Sequence, residues 1–268
     1  MPAGPLRLAE LLVGLSGIAD VGMGMEQGEA ARAALLGVRL AEALGVRERS
    51  DVYYVTLLQH IGCTAYAHEA AGLLGGDELA VKAAAIRTDF SRPGDVVLGY
   101  LPSLAPGSGA ATRVRVAVTA ATHARQIVAG YSRANCEVAA RTAVRVGLGP
   151  GVECGLLDIY EQWDGKGGPR RLRADAIAVT ARIAQMACLA ALFDRIGGVN
   201  AATSAVSRRA GRALDPSVAA AFRTRAAAML GELSGADVLR VAACGRRALP
   251  SARSRCCSWS RADCPTRR

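Results

Sequence analysis

The constraint that most limits how this chain can fold is the period of its apolar residues. Between Glu26 and Leu44, Leu35, Leu36, Val38, Leu40 and Ala43 recur at helical spacing, and Gly45 stands where a left-handed cap belongs. The same Ala/Leu/Val/Arg texture returns along most of the chain. Half of the residues (51%) are hydrophobic but only 4% are aromatic, which suits helices packed on helices better than a sheet. The expectation is an all-α bundle of about ten helices.

Punctuation places the helices. The first runs from Leu6 to Ile18 and ends near Gly22-Met23-Gly24. Ser50-Asp51 caps a helix from Val52 to His60, which Ile61-Gly62 breaks. A short helix over 65–74 follows, then one from Gly75-Gly76-Asp77 to Arg87. Arg92-Pro93-Gly94 opens a loop that reaches Gly109. Further helices are expected at Ala111–Ala129, Arg133–Val146, Gly151–Trp163, Asp175–Ile196, Val199–Ala210 and Ser217–Leu233. Pro150 and Asp215-Pro216 act as starts. The organisation expected is an N-terminal helix over 1–24, a main domain over 25–235 and a tail over 236–268.

Charge and cysteine exclude several classes. The net charge is +10, but the arginines from Arg240 onward, opposed only by Asp263, supply +7 of it. The first 239 residues carry only +3, which argues against a basic nucleic-acid face on the folded body. Cys63, Cys136, Cys154 and Cys188 are scattered singly, as buried small apolar residues usually are. Cys244, Cys256, Cys257 and Cys264 crowd the tail without a histidine or a CxxC pair, so zinc is a poor reading there. Neither a membrane-length apolar run nor a signal-peptide pattern is present, and a cytoplasmic protein is expected.

Five segments carry a specific pattern: Arg32…Leu44-Gly45; Leu57-Leu58-Gln59-His60-Ile61-Gly62; Glu161-Gln162-Trp163-Asp164-Gly165-Lys166-Gly167-Gly168-Pro169; Ala181-Arg182-Ile183; and Leu214-Asp215-Pro216. In order and spacing they resemble the HD-GYP subgroup of HD-domain phosphohydrolases over roughly Glu29 to Phe222. The resemblance is closest to the HD-GYP-like region ahead of a LuxR-type helix-turn-helix in some bacterial transcriptional regulators. It implies an HD-domain-like helical bundle, and a cleft where histidines and carboxylates would hold metal ions that activate water against a phosphodiester.

The resemblance also shows which ligands have changed. Glu29 stands at the first histidine position, and Gln59 and His60 stand at the His-Asp pair. Asn135 takes the next histidine position, Ile159 and Tyr160 the paired histidines before Glu161, and Cys188 the closing aspartate; Gly168 replaces the tyrosine of Gly-Tyr-Pro. Amides and isoleucine cannot supply the lone pairs of a di-metal centre. The implied protein is a pseudoenzyme: a non-catalytic sensor or interaction domain of a transcriptional regulator. Its vestigial cleft, lined by Glu29, Gln59, His60, Asn135, Tyr160, Glu161, Asp164 and Cys188, would take a small molecule or nucleotide, and no cofactor is expected. The alternative is a metal-dependent phosphohydrolase, a cyclic-di-GMP phosphodiesterase using Mn, Fe or Zn through a remodelled site of Glu29, His60 and Cys188. A homodimer is a third reading.

Other motifs weigh less. His68-Glu69 lacks the second histidine of a zincin motif, His123 reads as a surface residue, and Gly165-Lys166-Gly167-Gly168 lacks Walker spacing. That glycine run is better read as a turn whose backbone amides Asp164 bonds. Cys63, beside the helix break, is a candidate reactive thiol. The Arg/Cys/Ser-rich tail from Ser251 loses helical period. Read one frame over, Arg255 to Arg268 can decode as the opening of a LuxR-type helix-turn-helix, which would make this a truncated regulator for which DNA binding is doubtful. The rival reading is a disordered basic tail.

Overall fold

A computed structural model describes residues 8–63 and 78–234. The helix expected over 65–74, its cap at 75–77, the His68-Glu69 pair and the basic tail with its four cysteines lie outside the described residues. The described elements are helical: α1 (Leu8–Gly22), α2 (Glu29–Ala43), α3 (Arg49–Leu58), α4 (Glu78–Arg87), α5 (Ala110–Arg145), α6 (Pro150–Leu157), α7 (Val179–Arg209), α8 (Pro216–Arg223) and α9 (Ala226–Ser234). Among the described residues no helix is long and apolar enough to cross a membrane.

The bundle is built around α2, which buries most of its circumference against α3, α7, α1 and α9. Alanines at 30, 31, 33, 34 and 41 let neighbouring helices approach closely, while Leu35, Leu36, Val38 and Leu40 fill the spaces between them. Its N-terminus is satisfied from outside the helix. Gly28 sits in the left-handed region at φ 94, with no cap of its own. Asp20, from the end of α1, accepts the amides of Gly28 (3.0 Å) and Ala30 (3.2 Å). The first expected segment therefore shares the main core, to which it adds Leu12 and Val13. Ion pairs tie α2 to α7 at one end: Arg32 with Asp194, and Arg195 with Glu29 at 2.6 Å.

A smaller apolar cluster stands apart from the main core. Val81 of α4, Leu104, Ala105, and Val116 and Ala120 of α5 form it, with Tyr100 and Leu101 packed alongside. The expected 92–109 loop is helical over much of its length here: a turn at Pro93–Asp95, a π-helical turn at Val96–Tyr100 and a 3-10 turn at Leu101–Ser103. Three helix boundaries also differ from expectation. The two helices expected over 111–146 are one α5 of 36 residues. A single mid-helix glycine, Gly130, costs only about 1 kcal/mol, and the packing of Cys136, Ala139, Ala140 and Ala143 into the core outweighs it. Helix α6 stops at Leu157 rather than Trp163, because Asp158 turns away to bond the Ala178 amide at 2.9 Å. The last expected helix divides into α8 and α9. The separation expected between Ile196 and Val199 is present within α7, where Gly197 and Gly198 leave helical geometry, Gly198 at φ 69.

Burial raises the Asp20 carboxyl to about 6, against the opposing pull of the Ala30 and Gly28 amides. A carboxyl raised on folding contributes stability that is full below its unfolded value of 3.8 and is lost as pH rises through about 6. Urea midpoints of the wild type should therefore fall between pH 4 and 7 relative to those of Asp20→Asn; parallel curves would contradict the assignment.

Candidate functional site

The Glu161–Pro169 segment leaves α6 and folds back on itself, held by side chains that reach its backbone. Glu161, 1% exposed, accepts the amides of Arg170 (2.6 Å) and Leu172 (2.9 Å). Gln185 of α7 donates to the carbonyls of Ile159 (3.0 Å) and Glu161 (2.6 Å). Asp158 pairs with Arg170. Asp164 accepts the Lys166 amide at 3.1 Å, the turn bond expected of it, and pairs with the Lys166 ammonium at 3.2 Å. At Gly167 a Cβ would stand 2.3 Å from the Gln162 nitrogen and 2.5 Å from the Tyr160 carbonyl, so this position admits only glycine.

The later motifs join the same structure. Arg182 pairs with Asp215 (2.8 Å) and Asp175 (2.9 Å), and its guanidinium lies 5.6 Å from the Trp163 ring centre. Asp215 caps α8 by accepting the amides of Ser217 (2.7 Å) and Val218 (3.4 Å). Glu161, Trp163, Arg182 and Asp215 are thus fixed by one another. Burial raises the Glu161 carboxyl above the usual carboxylate range, although the amides it accepts work against this.

The positions matched to metal ligands fall into separate contacts. Gln59, at the end of α3, donates through Nε2 to the Cys188 thiol of α7. Burial pushes that thiol up to about 12. The His60 ring faces another way, with Nδ1 3.6 Å from the Cys63 sulfur. Burial lowers His60 to about 4 and raises Cys63 to about 11. Both are therefore neutral near pH 7, and Cys63 does not have the lowered pKa of a reactive thiol. Glu29 is bound by Arg195. Asn135 is fully buried on α5, its amide beside the Tyr131 hydroxyl. Its backbone lies against Gly62, where a Cβ would come within 2.5 Å of the Asn135 carbonyl. Cys63, Cys136 and Cys188 are free thiols, whereas Cys154 is disulfide-bonded rather than a plain buried thiol.

These residues do not suit a catalytic metal. Among the described residues, no three His, Cys, Asp or Glu side chains come together as a ligand set. Cys188 turns to an amide, His60 to a different cysteine and Glu29 to an arginine. Of the remodelled Glu29–His60–Cys188 set, each member faces a different neighbour: Arg195, Cys63 and Gln59 respectively.

The residues expected in one cleft lie against several cavities. His60 and Tyr160 line a cavity of about 530 Å³ between the main bundle and the smaller apolar cluster. Glu29 faces one of about 360 Å³ with Arg195. Asp164 edges one of about 450 Å³ that also carries Asp89, Arg171, Arg209 and Arg212. Gln59, Asn135, Glu161 and Cys188 line none of these three. Sequence reasoning did not find Phe90, Tyr100 and Tyr131 as walls of the largest of the three. In a chain with three Phe and six Tyr, that scarcity was the available signal. His123 is exposed, as expected.

No family model matches the chain. In sequence it is 21% identical over 211 residues to a 3'3'-cGAMP-specific phosphodiesterase of Vibrio cholerae serotype O1, covering 78% of this chain and 46% of that protein. In structure it is similar to the crystal structure of a cyclic GMP-AMP-specific phosphodiesterase of V. cholerae. The TM-score is 0.66 at 18% identity, over 89% of this chain and 54% of the other. The chain spans about half the length of the relative it matches. The described residues have an HD-domain-like, all-helical fold.

Glu161→Ala would leave two part-buried backbone amides without their acceptors. It should cost about 2–4 kcal/mol in urea unfolding; a loss below about 1 kcal/mol would show that Glu161 does not hold this turn.

Proposed function

We propose that this chain is a ligand-binding domain built on a metal-phosphodiesterase fold, with binding retained and hydrolysis lost. One observation carries the reading. At the positions where the resembled family places metal ligands, Gln59 engages Cys188 and His60 faces Cys63, while a cavity of about 530 Å³ stands beside His60 and Tyr160. Glu161, Gln185 and Arg182 hold the chain around the cavity through hydrogen bonds and an ion pair. The resemblance of the five motifs to the HD-GYP-like region of LuxR-type regulators supports placing the domain in a bacterial transcriptional regulator, where ligand occupancy would be its input.

A second reading is favoured by the comparisons: a phosphodiesterase for a cyclic dinucleotide that requires a divalent metal. The similarity to cGAMP-specific phosphodiesterases over most of this chain supports it. The replaced ligand positions weigh against it.

Hydrolysis separates the two. Purified protein with Mn²⁺ or Fe²⁺ is incubated with 3'3'-cGAMP or cyclic-di-GMP, and products are resolved by chromatography. The first reading expects no linear dinucleotide above the protein-free control. Metal-dependent product that disappears in His60→Ala would establish the second reading instead.

A further inference from the structure

The outward face of α1 carries no charge. Leu8, Leu11, Gly14, Leu15, Ile18 and Val21 are its exposed residues, and all are apolar. Ile18 is 70% exposed, Val21 57% and Leu11 52%. At about 100° per residue, the six positions fill one arc of the helix. The two acids of α1 do not interrupt it: Asp20 is buried, accepting amides at the start of α2, and Glu10 stands half-buried at the edge of the arc. The opposite face, with Leu12 and Val13, belongs to the main core. A helix that is apolar all round is a buried helix. Elsewhere exposed apolar residues stand among charges, as Val114 of α5 does between the exposed Arg113 and Arg115.

Spacing and charge indicate what covers this face. Leu8, Leu11, Leu15 and Ile18 follow one another at intervals of three, four and three residues, the seam spacing of paired helices. A Cβ added at Gly14 would meet nothing within 4 Å, so the middle of the seam is open to the approach of a second helix. The seam is also compatible with itself, because a two-fold pairing would bring no like charges together. A lipid surface fits less well: α1 has no lysine or arginine to meet the headgroups. The five large side chains expose roughly 400 Å² per copy, an area at which a patch on a monomer marks an interaction site. That is about half of what one partner buries in a standard interface, which suits a reversible dimer. Since α1 is already held by Leu12, Val13 and Asp20, pairing does not have to order the helix.

We propose that α1 is a homodimer interface, its outward face packed against the same face of a second copy of this chain. The proposal does not depend on the ligand-binding reading above.

Sedimentation velocity of the full chain between about 1 and 200 µM tests it. The wild type should pass from a 27.7 kDa monomer to twice that mass, with a dissociation constant of about 10 µM. Leu11→Glu/Ile18→Glu should weaken association at least about tenfold. Both side chains face outward, so its circular dichroism and melting temperature should match those of the wild type. Leu11→Ser/Ile18→Ser, a gentler change, should also weaken the dimer and serves if the charged variant does not fold. Leu98→Glu, at an apolar site elsewhere that is 82% exposed, should leave association unchanged. A wild type that stays monomeric throughout the range overturns the proposal. If that monomer co-sediments with phosphatidylserine vesicles, the face belongs to lipid instead; if it does not, another part of this chain covers α1. The proposal also fails if both α1 variants dimerise like the wild type, or if Leu98→Glu dissociates the dimer as they do.

Discussion

The buried Glu161 carboxylate is the contact on which this end of the molecule depends. By accepting the Arg170 and Leu172 amides it closes the turn that begins at the end of α6. That turn carries Tyr160, Gln162, Lys166 and Gly167 into the walls of the large cavity. Gln185 holds the same strand of chain from α7, and the Arg182–Asp215 pair fixes where α8 departs. A carboxylate satisfied by backbone amides is a structural device. Here it occupies a sequence position that could be taken for chemistry.

The positions matched to metal ligands follow a related logic. A di-metal centre ties helices together through charged ligands converging on cations. In this chain α3 meets α7 through an amide–thiol contact, and α2 meets α7 through ion pairs of Arg195 with Glu29 and Arg32 with Asp194. Such contacts join helices without concentrating negative charge. Beside these contacts His60, Cys63, Tyr131 and Tyr160 lie together, each shifted by burial toward its neutral form.

Much of this was legible in the sequence where the signal is local. Asp215-Pro216 marks a helix start because an aspartate cap and a proline at the first turn act within three residues. Gly197-Gly198 marks a break, and Asp164 marks a turn, for the same reason. The all-helical class followed from periodicity. What was not legible depends on distant partners. Helix α5 continues through Gly130 because its later half is packed in the core. Helix α6 stops early because Asp158 finds the amide of Ala178, twenty residues on. Ligand positions adjacent in sequence, Gln59 and His60, turn to different neighbours, so no reading by slot could place them in one cleft. The ring-lined cavity draws its walls from segments scattered between Met23 and Gly167, and no local pattern announces it.

We propose that side-chain contacts hold this fold without metal coordination. Differential scanning calorimetry of the full chain before and after exhaustive treatment with a strong chelator tests it most directly. The account predicts the same unfolding temperature and enthalpy in both states, with no gain on adding back Mn²⁺, Fe²⁺ or Zn²⁺. A drop of several degrees on chelation that one of these ions restores would contradict it.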